Sequence, residues 1–390
     1  MSSLDPPAGR GSSRRSFLAR AALLAAAAAT PAGLLAQAGA ARRHKMILDV
    51  DIGIDDAFAV LLAHYSPAID LLGITTVFGN ADIDQGTRNA LYLKQKFDIP
   101  AQVYRGAAAP LHHPAPQPPA FVHGADGLGD VEEAIAPTVT EASLSAPEYL
   151  ARTIAAHPGE IAVVAVGPAT NLLLAQLIRP SIVEEVGRVV IMGGAVGFAG
   201  ERGNKTTVGE ANAWNDPHAL DSVFRFDWPV TMVGLDVTYD EEGSMDAEYL
   251  ERLRENGGRA GAFLERINRQ YVRFYQQSRG RPVTYQHDSI AVANVIAPQL
   301  FETRCGQHRA GGSRMSPTGF DPEHRAAGEA RRPRSRCGQH RAGRRDGVPN
   351  GIRTRVASLK GWSPDLARRW GRGFGPWLRC RPLSSRGVYP

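Results

Sequence analysis

The stretch Ile47-Leu48-Asp49-Val50-Asp51-Ile52-Gly53-Ile54-Asp55-Asp56-Ala57 puts four carboxylates within eight residues. The apolar run before Asp49 reads as a strand and the apolar spacing after Gly53 as a helix, so the acids fall on a strand-to-helix turn. Asp55 and Asp56 would favour a first helical turn through the helix dipole, which accounts for two acids and not four. Four negative charges this close repel one another unless a cation joins them. An oxygen-only donor set selects a hard cation, calcium or magnesium, over zinc.

Working outward, the alternation continues. Strands are expected at about 46–50, 69–78, 161–166, 187–192 and 230–236, and helices at about 55–65, 84–96, 147–156, 170–178, 216–225, 246–256, 259–278 and 288–297. Strand and helix in turn are the signature of βαβ units, so the fold class is α/β, an open and mostly parallel central sheet flanked by helices. In such a sheet, ligands bind outside the carboxyl ends of the strands. Those ends carry Asp49-Val50-Asp51, Gly79-Asn80, Gly167-Pro168-Ala169-Thr170-Asn171, Gly193-Gly194 and Asp236. Acids, amides and glycines gathered on one edge would be costly to bury without partners, and a shared polar site explains them together.

The chain has 390 residues and a formal net charge of +6, which would suit a nucleic-acid partner. Its distribution says otherwise. Residues 46–300 hold 18 basic and 32 acidic residues, a net charge of −14. The positive excess therefore belongs to the two ends, and the middle should repel phosphate backbones and attract a cation.

At the N-terminus, Ser13-Arg14-Arg15-Ser16-Phe17-Leu18 resembles a twin-arginine motif. An Ala/Leu-rich stretch runs from Ala21 to Leu35, and Ala36-Gln37-Ala38 offers a cleavage site. Thr30, Pro31 and Gly33 interrupt the apolar run and make it a poor spanning segment. Residues 1–40 are thus expected to be a signal peptide, removed near Gly39, which leaves no stable membrane anchor and a periplasmic or extracellular protein. The three cysteines, Cys305, Cys337 and Cys380, all lie late in the chain, so residues 46–300 have no disulfide framework.

Residues 303–390 are rich in Arg, Gly and Pro, lack apolar periodicity, and contain the octapeptide Arg304-Cys305-Gly306-Gln307-His308-Arg309-Ala310-Gly311 again as Arg336 to Gly343. The pattern predicts a disordered or out-of-frame tail. Resequencing the gene and finding an intact frame would remove the second of these. Two Cys-x-x-His pairs could be taken for zinc ligands, but no surrounding fold supports them.

The acidic turn resembles the Asp-Thr-Asp-Pro-Gly-x-Asp-Asp signature of the nucleoside hydrolase family, with Val50 and Ile52 where the family has Thr or Cys and Pro. Further matches follow in the family's order. They are Thr75-Thr76-Val77-Phe78-Gly79-Asn80, His123-Gly124, Gly167 to Asn171, Met192-Gly193-Gly194, Glu210-Ala211-Asn212 with Asp216-Pro217, Val233-Gly234-Leu235-Asp236-Val237-Thr238 and His287-Asp288. The resemblance covers roughly residues 46–302, so the catalytic domain is placed at 45–302, without the C-terminal strands and helix that family members carry beyond it.

The resemblance implies hydrolysis of the N-glycosidic bond of ribonucleosides, a small-molecule nucleoside substrate, and a protein that is commonly a homo-oligomer. It implies that Asp51, Asp56, Asp288 and the backbone carbonyl of Val166 hold Ca²⁺. Asp51 would be general base toward a calcium-held water that Asn80 helps to place. Asp55 and Asn212 would bind the ribose 2′- and 3′-hydroxyls, with Asn204 and Glu210 reaching the 5′-hydroxyl. Such bonds steady a sugar as it becomes oxocarbenium-like. His287 would serve the departing base, since imidazole is the natural acid near neutral pH. Tyr271 and Tyr275, four apart on a helix, would face the base pocket or pack in the core. His123 matches a mobile-loop histidine, and Trp214 could stack on a purine.

Two other readings fit part of the pattern. Asp49-Val50-Asp51 is similar to the first motif of haloacid-dehalogenase-like phosphatases, in which Asp49 would be the nucleophile and Mg²⁺ the cofactor, but Ile52-Gly53-Ile54-Asp55-Asp56 departs from that motif. The altered turn would also suit a nucleoside- or sugar-binding protein impaired in catalysis.

Overall fold

The computed structural model describes residues 43–131, 136–197, 200–306 and 354–359. The expected signal peptide, and the tail at 307–353 and 360–390, lie outside the described residues.

In chain order the elements begin with β1 (His44–Val50), α1 (Ile54–Tyr65), β2 (Ile69–Thr76), α2 (Ile83–Lys96), β3 (Gln102–Tyr104), α3 (Ala120–His123) and α4 (Ala146–Ala156). Then come β4 (Ile161–Ala165), α5 (Thr170–Ile178), α6 (Ile182–Glu185), β5 (Arg188–Met192), α7 (Ala211–Asn215), α8 (Pro217–Arg225), β6 (Val230–Val233) and α9 (Leu235–Thr238). The last are β7 (Ser244–Asp246), α10 (Ala247–Asn256), α11 (Gly258–Arg279), β8 (Val283–Tyr285), α12 (His287–Ile296), β9 (Phe301–Gly306) and β10 (Thr354–Leu359).

Six strands run parallel in the order β3-β2-β1-β4-β5-β6. The first three build outward from β1 in one direction and the next three in the other, so β1 and β4 meet where the winding reverses. At such a switch point the connections diverge and leave a crevice outside the carboxyl ends of the two strands. Asp49 and Asp51 at the end of β1, and Val166 at the end of β4, stand at that crevice.

The sheet is covered on both faces, which is why β1 from Met46 to Val50 is buried throughout. Met46, Leu48 and Val50 pack into one core with Phe58, Leu61, Phe263, Ile267 and Val292. Ile47, on the opposite face, packs into the other with Leu150, Leu172, Leu220 and Phe224. The period-two alternation along one strand thus feeds two apolar layers.

Each expected helix is present, and α11 ends at Gly280 in the left-handed conformation, φ 71°. The strand expected at 230–236 stops at Val233, because Leu235 to Thr238 turn into α9 after Gly234. Asp236 consequently sits in a helical turn, accepting from Val196 N at 2.6 Å. The three-residue strands β3, β7 and β8 were not expected. The last two pair antiparallel as a separate ribbon that delivers the chain to His287.

The sheet does not end at β6. Thr354–Leu359 lies parallel to β6 and antiparallel to β9, at six tail positions where no strand was expected. The β-branched Thr354 and Val356, spaced two apart with Ser358, carry a strand signal that the dense arginines around them obscure.

Candidate active site

The turn after β1 is tied by its own acids. Asp56 accepts from Asp51 N at 3.1 Å through Oδ1 and from Gly53 N at 2.8 Å through Oδ2, which fixes the start of α1. Asp56 therefore acts at the helix start through hydrogen bonds from backbone N–H groups. Gly53 is required there, since a Cβ would lie 2.5 Å from His123 Nδ1. Asn80, after β2, closes the turn from the side. Its backbone N–H donates to Asp51 Oδ2 at 2.8 Å, and its side-chain amide to Asp51 Oδ1 at 3.2 Å and Asp56 Oδ2 at 3.1 Å. Gly79 lets that approach happen, because a Cβ at this position would fall 1.9 Å from Asp51 Oδ2.

Asp288, at the start of α12, arrives from the other side of the crevice. One oxygen from each of Asp55, Asp56 and Asp288 lies within 4.8 Å of the others, and all three residues are buried. Among the described residues, Asp55 Oδ1 and Asp288 Oδ2 have no hydrogen-bond partner. Buried carboxylate oxygens without donors are costly, and a cluster of them built from oxygen alone fits a hard cation of the calcium or magnesium type. The grouping differs from the one expected. Asp55 joins the cluster, whereas both oxygens of Asp51 face Asn80.

The electrostatics agree with the geometry. Burial, and then the charge of Asp56, pushes the Asp55 carboxyl up to about 8. Burial first, and then the charges of Asp55, Asp56 and Asp51, raises Asp288 well above the usual carboxylate range. Asp51 is raised by burial and by Asp56, and Asp56 by burial against the pull of its backbone donors. Asp49 is pushed up to about 7 by burial, while Thr75 Oγ1 donates to its Oδ1 at 2.5 Å and Asn171 Nδ2 at 2.8 Å. A fully buried carboxylate held by two side-chain donors is poorly placed to attack phosphorus, which disfavours the phosphatase reading.

On the sugar-facing side expected from the sequence, Asn212 donates through Nδ2 to Val166 O at 2.6 Å and Met192 O at 3.2 Å. The Val166 carbonyl is therefore already engaged on one side. Glu210 does not reach outward as expected. It is the N-cap of α7, with Oε1 accepting from Asn212 N at 3.0 Å and Oε2 from Gly194 N at 2.9 Å and Ala213 N at 3.0 Å. Its carboxylate thus answers backbone N–H groups at the start of α7 that would otherwise lack acceptors. Asn204 is exposed and accepts from Ala211 N at 2.9 Å. Trp214 is partly buried, with Lys205 Nζ 5.0 Å from its ring.

Opposite these stand the aromatic residues of α11. Tyr271 and Tyr275 are buried and hydrogen-bonded rather than only packed. Tyr271 Oη donates to Asp55 Oδ2 at 3.2 Å, Tyr275 Oη lies 3.5 Å from Tyr271 Oη, and Tyr275 Oη is 2.8 Å from His287 Nε2. The far ring nitrogen, Nδ1, is 2.6 Å from Thr238 Oγ1, a residue to which the sequence assigned no role. Burial, with the nearby Arg279 charge, lowers His287 to about 3. His123 is buried too, lowered to about 3 by burial, and accepts from Ile54 N through Nδ1 at 3.2 Å. Its ring centroid is 5.5 Å from that of Tyr271. The histidine expected on a mobile loop is thus anchored to the first turn of α1.

The chain is similar to known proteins over most of its described residues. A family described as inosine-uridine preferring nucleoside hydrolase matches residues 46–335. Uridine nucleosidase 1 of Arabidopsis thaliana is 36% identical over 266 residues, which covers 68% of this chain and 77% of that one. The inosine-uridine preferring nucleoside hydrolase of Crithidia fasciculata is 36% identical over 261 residues, 66% of this chain and 81% of its own. Among solved structures, the purine-preferring ribonucleoside hydrolase from Gardnerella vaginalis superposes with a TM-score of 0.71 at 28% identity, covering 86% of this chain and 98% of that chain.

Proposed function

The chain belongs to the inosine-uridine preferring nucleoside hydrolase family and is a hydrolase acting on N-glycosyl bonds, and from that premise we propose that it splits ribonucleosides into ribose and free base with calcium as cofactor. The observation that carries the cofactor is the Asp55–Asp56–Asp288 cluster with its unpartnered buried oxygens. Asp51, beside the cluster, and the Val166 carbonyl complete the set of oxygens that would hold the ion. Calcium bound there would orient a water and lower its pKa.

The remaining roles belong to this chain's own groups. Asp51, held by both donors of Asn80, takes a proton as the water oxygen attaches to the anomeric carbon. Asp55 and Asn212 bind the ribose 2′- and 3′-hydroxyls, and Asn204 lies toward the 5′ side. Glu210 acts one step back, by fixing the backbone that carries Asn212. As the glycosidic C–N bond breaks, its electron pair goes to the base nitrogen, which takes up a proton from His287; burial holds that imidazole neutral rather than as the expected imidazolium, so it regains a proton from Tyr275 Oη, and the proton that Asp51 took from the water restores the balance as products leave. Tyr271 and His123 shape the wall against which the base lies. The polar contacts to the sugar strengthen as positive charge develops on the ring.

Ribose release from inosine, uridine and adenosine, with and without EGTA and with Asp51→Asn, tests this directly. The expected result is calcium-dependent release from at least one nucleoside, reduced about 10³-fold or more by the substitution. Release that ignores EGTA, or that survives Asp51→Asn, would overturn the mechanism, and phosphate release from a nucleotide without ribose would favour the phosphatase reading. Tight calcium-dependent ribose binding without turnover would favour the binding-protein reading.

Export through the twin-arginine route is part of the same proposal, carried by Ser13 to Leu18 and the apolar stretch after it. Cell fractionation after Arg14→Lys/Arg15→Lys should find the protein retained inside, and an unchanged location would sink the idea.

A further inference from the structure

We propose that Thr238 is a positioning residue for the leaving group, acting by holding the His287 ring in line with Tyr275. The proposal rests on the nucleoside-hydrolysis reading above and assigns a contact in that region which the reading leaves without a part.

His287 sits in a buried pocket where each ring nitrogen has a single hydroxyl partner, Thr238 Oγ1 at 2.6 Å from Nδ1 and Tyr275 Oη at 2.8 Å from Nε2. The three groups come from three elements, α9, α12 and α11. With Tyr275 alone, one hydrogen bond would oppose rotation of the imidazole about its Cβ–Cγ bond, and a flipped ring would present carbon to Tyr275. The Thr238 hydroxyl doubles that opposition, since rotation would break both bonds in a buried site. Thr238 itself cannot drift. Its backbone N–H is bonded to Gly234 O at 3.1 Å, and Gly234 is pinned against Gly194, whose carbonyl carbon would lie 3.3 Å from a Cβ at 234. Packing adds to the constraint, with the Tyr239 ring edge-on to His287 at 4.8 Å between centroids. Thr238 touches no carboxylate of the metal cluster among its described hydrogen bonds, so its effect passes through His287.

Three variants and two substrates separate this role from a structural one. Thr238→Val keeps the shape and deletes the hydroxyl, Thr238→Ser keeps the hydroxyl, and Thr238→Ala deletes both. Inosine needs its departing base protonated, whereas 4-nitrophenyl riboside has a leaving group that departs as an anion. The expected result is that Thr238→Val lowers kcat for inosine about 10- to 100-fold at nearly unchanged KM, changes 4-nitrophenyl riboside turnover less than about 2-fold, and is rescued by Thr238→Ser. Equal loss on both substrates would assign Thr238 to general site integrity, and no loss on inosine would remove its role; either overturns the proposal.

A second readout does not depend on turnover. Crystal structures of the unsubstituted protein, Thr238→Ser and Thr238→Val should show the His287 ring within hydrogen-bond reach of Tyr275 Oη in the first two and turned away from it or split between two orientations in the third. An unmoved ring in Thr238→Val would overturn the proposal even if inosine proved not to be a substrate. Failure of the broader reading would appear differently, as absence of ribose release from the unsubstituted, calcium-loaded protein.

Discussion

Stripping calcium with EGTA should destabilise the protein by an amount that grows with pH, and the size of the effect follows from the carboxylate cluster. Burial and the charge of Asp56 raise the Asp55 carboxyl to about 8, against an unfolded value of about 4. A raised folded-state value means that, without a cation, the folded protein binds the proton more tightly than the unfolded chain. Stability is therefore full below about pH 4 for this group and is lost as the pH rises toward about 8. At pH 7 the span is about three pH units, or about 4 kcal/mol from Asp55 alone, with Asp288, Asp51 and Asp56 shifted in the same direction. A bound cation stabilises the ionised carboxylates and flattens that slope. For a domain of this size about 4 kcal/mol corresponds to roughly 10 °C in Tm. Thermal unfolding followed by circular dichroism at pH 5 and pH 7.5, each with excess calcium or EGTA, should show a gap near 10 °C at the higher pH and a much smaller one at the lower. Asp288→Asn should shrink the gap at pH 7.5 and, in EGTA, raise Tm, because it removes one of the repelling charges. A gap of equal size at both pH values, or none at pH 7.5, would refute the reasoning.

Gly79→Ala should abolish turnover, by at least about 100-fold, and cost about 1–3 kcal/mol, since the new Cβ meets Asp51 Oδ2 and must push the general base or the β2 loop aside; ribose release and Tm read the two effects. Glu210→Gln should weaken the cap of α7 by about 1–2 kcal/mol and raise KM more than it lowers kcat, because Asn212 loses its support while the water-activating groups are untouched. Steady-state kinetics with the competent nucleoside check this, and a kcat loss at constant KM would contradict it.

The sequence showed the acidic turn, the open, mostly parallel sheet and each long helix, because these depend on local periodicity and on the clustering of residue types at strand ends. Asp49, Asp51, Asp55 and Asp56 are neighbours in sequence, so their mutual repulsion could be inferred before any contact was known. Glu210 could not be apportioned between cap and ligand in advance, since a glutamate one residue before a helical pattern is consistent with either, and only the three backbone donors around it decide. Strands of three residues, such as β7 and β8, lie below the length at which period two can be seen. Thr238 was hidden for a different reason. Its partner is 49 positions away on another helix, and a threonine in a helical turn carries no local sign of such a bond.

The division of labour within the cluster explains why a cation is needed at all. Asp56 is surrounded by donors from Asp51, Gly53 and Asn80, so its charge is largely answered by the turn it helps to form. Asp51 is answered by Asn80, and Asp55 in part by Tyr271. Asp288 Oδ2 has no such donor among the described residues. The unresolved repulsion thus lies between the β1 turn and the start of α12, two segments that the fold brings together from opposite ends of the domain. A cation shared by Asp55, Asp56 and Asp288 would convert that repulsion into a link, joining β1 to the helix that carries His287. The ion would then set the distance between the Asp51 side of the crevice, where water is activated, and the His287 side, where the base departs. Loss of the ion should accordingly disturb both half-steps of the reaction together, because one set of oxygens fixes the spacing on which both depend.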